Sequence, residues 1–255
     1  MNFNLNADMA ESYGPWVMGN DDALLPIINS ANIACGFHAG DYNIMANTMR
    51  KAMENNVSIG AHPGFYDLHG FGRRPVSLSV NEIEHLMAYQ LGAAMGAAAI
   101  AGAKVTHVKP HGALNNMAAN DIDMALAIAR AVKAVDGSQI FLAPVLSQLV
   151  VAGEKCGLSV AQEIFADRAY MPDGQLAPRS RPDAMIDDPD MALTRSLAML
   201  VDHKITTIDG TTLPITPHSL CVHGDGPSAV AMATHLQSGL IGAGLVAKTL
   251  PQMMA

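Results

Sequence analysis

Ionisable side chains in this sequence gather in short blocks bounded by glycine and proline. Asn6-Ala7-Asp8-Met9-Ala10-Glu11 sets two carboxylates three residues apart. Such a pair can move protons or hold a cation, or Glu11 can close a capping box with Asp8. Cys35-Gly36-Phe37-His38-Ala39-Gly40-Asp41 is a glycine-bracketed turn with an imidazole inside it and a carboxylate suited to start a helix. His62 opens a long Gly/Pro-rich loop that reaches Arg73 and Arg74, a pair suited to clamping a carboxylate or phosphate. His107-Val108-Lys109-Pro110-His111 puts three basic groups on one strand face. An enclosed Lys109 could polarise a carbonyl, and His111 could act as a base or ligate a metal with Asp8, His38 and His62. Asp167-Arg168, Arg179 and the late block Cys221-Val222-His223-Gly224-Asp225 add a second acidic and basic rim, in which Asp167 and Arg168 could pair with each other.

These residues need a frame, and the alternation of apolar and polar positions describes one. Strands are expected at residues 2–6, 32–36, 57–61, 105–109, 139–142, 159–165 and 219–222, with helix-like stretches near 21–30, 42–55, 81–102, 120–135, 146–156, 189–202 and 227–238. Strand–helix alternation favours a parallel sheet, closed or doubly wound, and about seven units suit a closed (β/α) barrel better than an open sheet, a choice that periodicity alone does not decide. In the first strand Phe3, Leu5 and Ala7 face one way, and Asn4, Asn6 and Asp8 the other. A strand with a polar face borders a polar interior. The same alternation groups His38, His62, Lys109 with His111, and His223 with Asp225 at strand ends, where barrels bind ligands. Asp209-Gly210 predicts a type I′ hairpin turn within residues 204–215.

The chain has 255 residues, 50% of them hydrophobic but only 5% aromatic, so Ala, Val, Ile, Leu and Met build one domain over 1–255. Its net charge of −8 argues against a nucleic-acid or anionic-membrane partner and for a small-molecule substrate. The three cysteines lack metal-type spacing and read as free thiols. No signal-peptide pattern opens the sequence, so a cytoplasmic location is expected. Gly242–Thr249 approaches a P-loop, but Ala247 stands where the second glycine belongs, and only six residues follow Thr249.

Taken together, Asn4–Asp8, Ser30–Asp41, Gly60–Pro63, Gly70–Arg73, Val108–Gly112, Phe165–Arg168 and Val222–Asp225 resemble the LamB/YcsF family. The resemblance implies a distorted seven-stranded TIM-like barrel related to sugar-deacetylase barrels. It also implies ATP-driven cleavage of 5-oxo-L-proline to L-glutamate, with ATP as cosubstrate and with partner subunits B and C. On that basis Asp8, His38, His62, Lys109 and His111 are the expected catalytic residues. Asn6, Glu11, Asp41, Arg73, Asp167, Arg168, Arg179, His223 and Asp225 are the expected substrate contacts. A divalent metal is a candidate cofactor on Asp8, His38, His62 and His111, and a homo-oligomer is compatible with the sequence. The rival readings are a metal-dependent amide or N-acetyl hydrolase acting alone and a non-catalytic lactam or sugar binder. The chain departs from the family pattern at Asn4, where Asp is usual, and at Ala10, where Gly is usual.

Overall fold

The computed structural model describes residues 1–223 and 229–255. Its strands are β1 (Asn2–Phe3), β2 (Leu5–Met9), β3 (Ser30–Ala34), β4 (Ser58–His62), β5 (Val105–Val108), β6 (Ile140–Pro144), β7 (Ser159–Phe165), β8 (Lys204–Thr206), β9 (Thr212–Pro214), β10 (Ser219–Val222) and β11 (Val246–Ala247). Its helices are α1 (Asp21–Leu24), α2 (Tyr42–Glu54), α3 (Val80–Ala101), α4 (Gly112–Ala118), α5 (Ile122–Asp136), α6 (Gln148–Lys155), α7 (Pro189–Val201), α8 (Ala229–Gly242) and α9 (Leu250–Met253). Seven parallel strands close a barrel in the order β10-β2-β3-β4-β5-β6-β7. The expected barrel is the one observed. No helix among the described residues is long and apolar enough to cross a membrane.

The apolar core lies outside the barrel, between strands and helices. Leu5, Ala7, Ile33, Ile59, Val108, Phe141, Ile164 and Leu220 belong to it, together with Met49, Met87, Leu91 and Ile128 from the helices. The lumen is largely polar on the side of β2–β4. Asn4 donates to Ser30 Oγ at 2.8 Å, Ser30 meets Ser58 at 2.6 Å, and Ser219 donates to Asn4 Oδ1 at 2.6 Å. On the opposite wall Ile140, Leu142 and Ala161 pack on Leu250. The Leu250 N–H donates to Ser30 Oγ at 3.1 Å, which plugs the lower end of the barrel with α9. The alternation read from the first strand therefore has its physical origin here: apolar side chains meet helices and amides meet each other.

Several boundaries differ from the sequence expectation. The first strand divides, because Asn2–Phe3 pairs with Val246–Ala247 while Leu5–Met9 enters the barrel. The second ends at Ala34, so His38 sits in the following turn rather than on the strand. Lys109 and His111 likewise follow the end of β5. The helix expected over 21–30 is cut to Asp21–Leu24, and α4 and α9 were not foreseen. The hairpin forms, but five residues separate its strands, where a I′ turn would leave two. Ala10 adopts φ 59°, the left-handed region that the family's usual glycine enters without steric conflict. That turn carries the chain from Asp8 on β2 back over the mouth at Glu11.

A tight approach inside the lumen fixes Gly60. A Cβ there would lie 2.2 Å from the His107 ring. Gly60→Ala is expected to overpack the lumen and lose about 1–3 kcal/mol of stability. By contrast, Gly92 on α3 has open space around a Cβ, and Gly92→Ala should gain about 0.5–1 kcal/mol through helix propensity. Thermal unfolding of both variants checks the contrast, at roughly 2–4 °C per kcal/mol for a chain of this size. Equal melting temperatures would contradict the packing account.

Candidate active site

Strand ends and the loops that follow them build one mouth. Asp8, His62, Arg73, Lys109, His111, Phe165, Arg168, Arg179 and His223 all line a cavity of about 530 Å³. Its floor is a buried charge cluster. The Lys109 ammonium donates to Asp8 Oδ1 at 2.9 Å and Cys221 Sγ at 3.1 Å, and reaches Asn6 Oδ1 at 3.5 Å. Glu163 Oε1 lies 3.0 Å away as an ion pair, off the line of a well-directed hydrogen bond. Burial alone would lower the lysine and raise the aspartate. Charge attraction outweighs it, from Asp8 and Glu163 on Lys109 and from His62 and then Lys109 on Asp8: Lys109 is held well above its ordinary range and Asp8 well below. An ammonium enclosed in this way positions Asp8; the structure gives it protein acceptors rather than an open N–H for a substrate carbonyl. Cys221 faces this lysine, and burial pushes its thiol up, as it does Cys35 to about 12, so neither is an activated nucleophile.

Beside Asp8 stands a second cluster. His62 Nδ1 is 2.7 Å from the Lys109 carbonyl, and His111 Nε2 is 2.9 Å from the Phe71 carbonyl. A carbonyl only accepts, so those nitrogens carry the protons. The remaining nitrogens, His62 Nε2 and His111 Nδ1, then face each other with lone pairs at 3.0 Å. Something positive belongs between them, a proton or a metal ion. Glu11 Oε1 is 3.7 Å from His111 Nδ1 and 3.3 Å from His38 Nε2. The His38 and His111 rings stack with centroids 3.6 Å apart. One donor atom from each of Glu11, His38, His62 and His111 lies within 4.8 Å of the others. Tetrahedral zinc with bonds of about 2.0–2.1 Å spaces its donors by roughly 3.3 Å, so this set fits a divalent metal. The backbone carbonyls that lock the two tautomers are the usual outer partners of metal-bound histidine. Of the four metal candidates from sequence, the three histidines belong to this set. Glu11, expected as a substrate contact, completes it, while Asp8 stands outside with Oδ2 3.3 Å from His62 Nε2.

The opposite wall is basic. Asp167 is not paired with Arg168; it binds His223 Nδ1 at 2.7 Å. Burial raises the Asp167 carboxyl, but His223 outweighs it and holds the group below the usual range. Arg168 is buried, donates to the Ala177 carbonyl, and is brought down to about 10 by burial and by neighbouring Arg179. Arg73 lines the cavity from the histidine side instead, stacked at 4.9 Å over Phe71, whose ring meets those of His38 and His111. Arg74, read from sequence as half of a clamp, is tied to Asp67 instead. Asp41 is a helix cap: it accepts from Asn43, Ile44 and Gly14 backbone N–H groups, and it does not line the cavity. Asn6 accepts from Asn32 beneath the floor. Asp225 lies outside the described residues. Glu163 and Asn32 were given no site role from sequence, and Asn115 was missed. The first two sit on strands whose polar parity was legible, and Asn115 lies on the unforeseen α4.

Burial, followed by neighbouring His111, His62 and Lys109, holds His38, His111 and His107 below the ordinary imidazole range, His107 at about 3. In the unfolded chain each protonates near 6.5, so the unfolded state binds more protons as pH falls through that value. Stability is present above pH 6.5 and declines toward pH 4. Urea midpoints of the metal-free chain should fall steadily from pH 7.5 to pH 5; an unchanged midpoint would contradict neutral burial of these rings.

The LamB/YcsF family profile matches residues 3–255. The A-subunit of 5-oxoprolinase from Methylococcus capsulatus is 51% identical over 242 residues, covering 95% of this chain and 93% of that protein. The crystal structure of a lactam utilization protein from Thermus thermophilus superposes with TM-score 0.92 at 40% identity, over 98% of this chain and 100% of the other. A peptidoglycan deacetylase of Bacillus subtilis aligns at TM-score 0.50 and 13% identity, over 99% and 89%, and shares the fold. With nearly its whole length matched by the profile and half its residues identical to such relatives, this chain belongs to the LamB/YcsF family.

Proposed function

We propose that this chain, acting as one catalytic domain over 1–255, opens the lactam of 5-oxo-L-proline to L-glutamate as the A-subunit of an ATP-consuming 5-oxoprolinase. Subunits B and C are its partners, ATP is the cosubstrate handled with them, and the assembly is cytoplasmic. The observation that carries this reading is a single cavity with a carboxylate–imidazole wall facing an arginine wall, in a chain half identical to proteins of that name.

A lactam is a stabilised amide. Opening it needs an activated carbonyl, a positioned water and a proton for the leaving nitrogen. In the proposed route ATP passes its terminal phosphoryl group to the lactam oxygen and leaves as ADP, water adds to the activated carbon, and the ring C–N bond breaks with protonation of nitrogen to give an acyl phosphate, which a second water hydrolyses to L-glutamate and inorganic phosphate. Arg73, Arg168 and Arg179 bind the anionic groups. Asp8, fixed by Lys109 on one oxygen, offers Oδ2 to the attacking water. From sequence, His38 or His62 would be the residue to deliver the proton. Both belong to the four-residue cluster, and the His62 Nδ1 proton is held by the Lys109 carbonyl. His223 suits the step better: Asp167 fixes its Nδ1–H, which turns Nε2 away from that carboxylate, and its ring lines the cavity. A divalent metal on Glu11, His38, His62 and His111 would supply Lewis-acid polarisation of an oxygen bound there.

Glutamate release from 5-oxoproline by the assembled subunits should require ATP and this chain. Asp8→Asn and His223→Gln should each lower kcat by about 10² to 10⁴-fold. Turnover within threefold of the parent would remove both roles. The metal-competent cluster favours one rival reading, a hydrolase acting alone; ATP-independent amide cleavage by the isolated chain would establish it instead.

Metal binding is checked separately from turnover. Titration with Co²⁺ should give a saturable visible absorption at one ion per chain, lost in His62→Ala and weakened in Glu11→Gln. Absence of saturable binding at micromolar to millimolar metal would leave a shared proton as the positive charge between His62 and His111.

A further inference from the structure

The geometry points to Asn115 as the residue that recognises the amide edge of the cyclic substrate. Asn115 is 6% exposed, lies on α4, and lines the cavity one helical turn beyond His111, whose carbonyl accepts from the Asn115 N–H at 3.3 Å. Its Oδ1 has no hydrogen-bond partner among the described residues. Its Nδ2 makes one long contact, 3.5 Å to Asn116 Oδ1. Asn115 therefore carries an unpaired, enclosed acceptor and one uncommitted N–H on a residue that borders the cavity, and a small rotation of the side chain brings its carboxamide edge to a ligand seated there. A buried amide oxygen left without a donor is destabilising, and a ligand N–H would remove that cost.

The ligand edge that completes it has a definite pattern. A carboxamide reads a donor and an acceptor side by side, and a lactam displays that pair because ring closure forces its amide cis. The lactam N–H donates to Oδ1, and the Nδ2–H donates to one lone pair of the lactam oxygen, leaving the other lone pair open. Linear trans amides place N–H and C=O on opposite edges and cannot make both bonds. Lactones and N-alkylated lactams lack the N–H. Asn115 is thus a specificity-determining residue for unsubstituted cyclic amides. This inference rests on the lactam reading proposed above and names how that substrate is told from its isosteres.

Calorimetric titration of the full-length chain with 5-oxoproline and with N-methyl-5-oxoproline tests it. The parent chain should bind 5-oxoproline about 10- to 100-fold more tightly, the range expected when one buried acceptor is left unpaired by the analogue. Asn115→Ala should weaken 5-oxoproline and bind both ligands alike, since the alanine leaves room for the methyl group. Equal affinities in the parent chain would overturn the proposal and need no variant to be made. So would an Asn115→Ala chain that still discriminates. No binding of 5-oxoproline to the parent chain would sink the lactam reading itself, and this inference with it, a result distinct from loss of discrimination alone.

Discussion

The site depends on one buried cation. Lys109 stands at the centre of the barrel mouth with Asp8, Glu163 and Cys221 around it. Without that ammonium Glu163 would lose its ion-pair partner and Asp8 would keep only His62 beside it, in a low-dielectric lumen. Breaking such a pair costs about 3–5 kcal/mol because the remaining charge stays buried. The lysine also sets where Asp8 points, because it takes one aspartate oxygen together with Asn32 and leaves the other beside His62. The lumen below is built to the same rule. Its amides and hydroxyls bond one another from Asn4 through Ser30 to Ser58, and from Asn6 through Asn32 to His107. A polar interior is tolerated because its groups are mutually satisfied.

From that floor the mouth divides by charge. Imidazoles and Glu11 gather on the side of β2–β5, where backbone carbonyls decide which nitrogens keep a lone pair. Arg168, Arg179 and the His223–Asp167 pair gather on the other side, while Arg73 reaches in from the loop after β4, over Phe71. An anionic cyclic amide has a matching polarity, with a carboxylate at one end and a carbonyl at the other. The division therefore orients such a ligand before any bond changes, and orientation is a large share of what a site of fixed groups can contribute.

Much of this frame was legible in the sequence. Asn4, Asn6 and Asp8 alternate with Leu5 and Ala7, and that alternation already required a polar interior beside the strand, while the number of strand–helix units pointed to the barrel. His62, Lys109, His111 and His223 were legible because each ends or follows a strand and stands beside glycine or proline. The metal set was read with Asp8 in the place of Glu11. Spacing along the chain could not show that Ala10 enters the left-handed region and turns Glu11 toward the histidines. Arg74 and Asp41 were over-read, since an arginine or an acid in a loop carries no mark of whether a nearby carboxylate or helix end already holds it. Glu163 and Asn115 were under-read. The one sits in a strand without a glycine signal, and the other in a short helix that composition does not announce.

The central claim is that one ligand bridges the two walls of the mouth. A structure of this chain soaked with 5-oxoproline tests it most directly. The account predicts the carboxylate against Arg73, Arg168 and Arg179, and the lactam carbonyl toward Glu11, His62 and His111. A carboxylate seated among those imidazoles, or density found away from the barrel mouth, would contradict it.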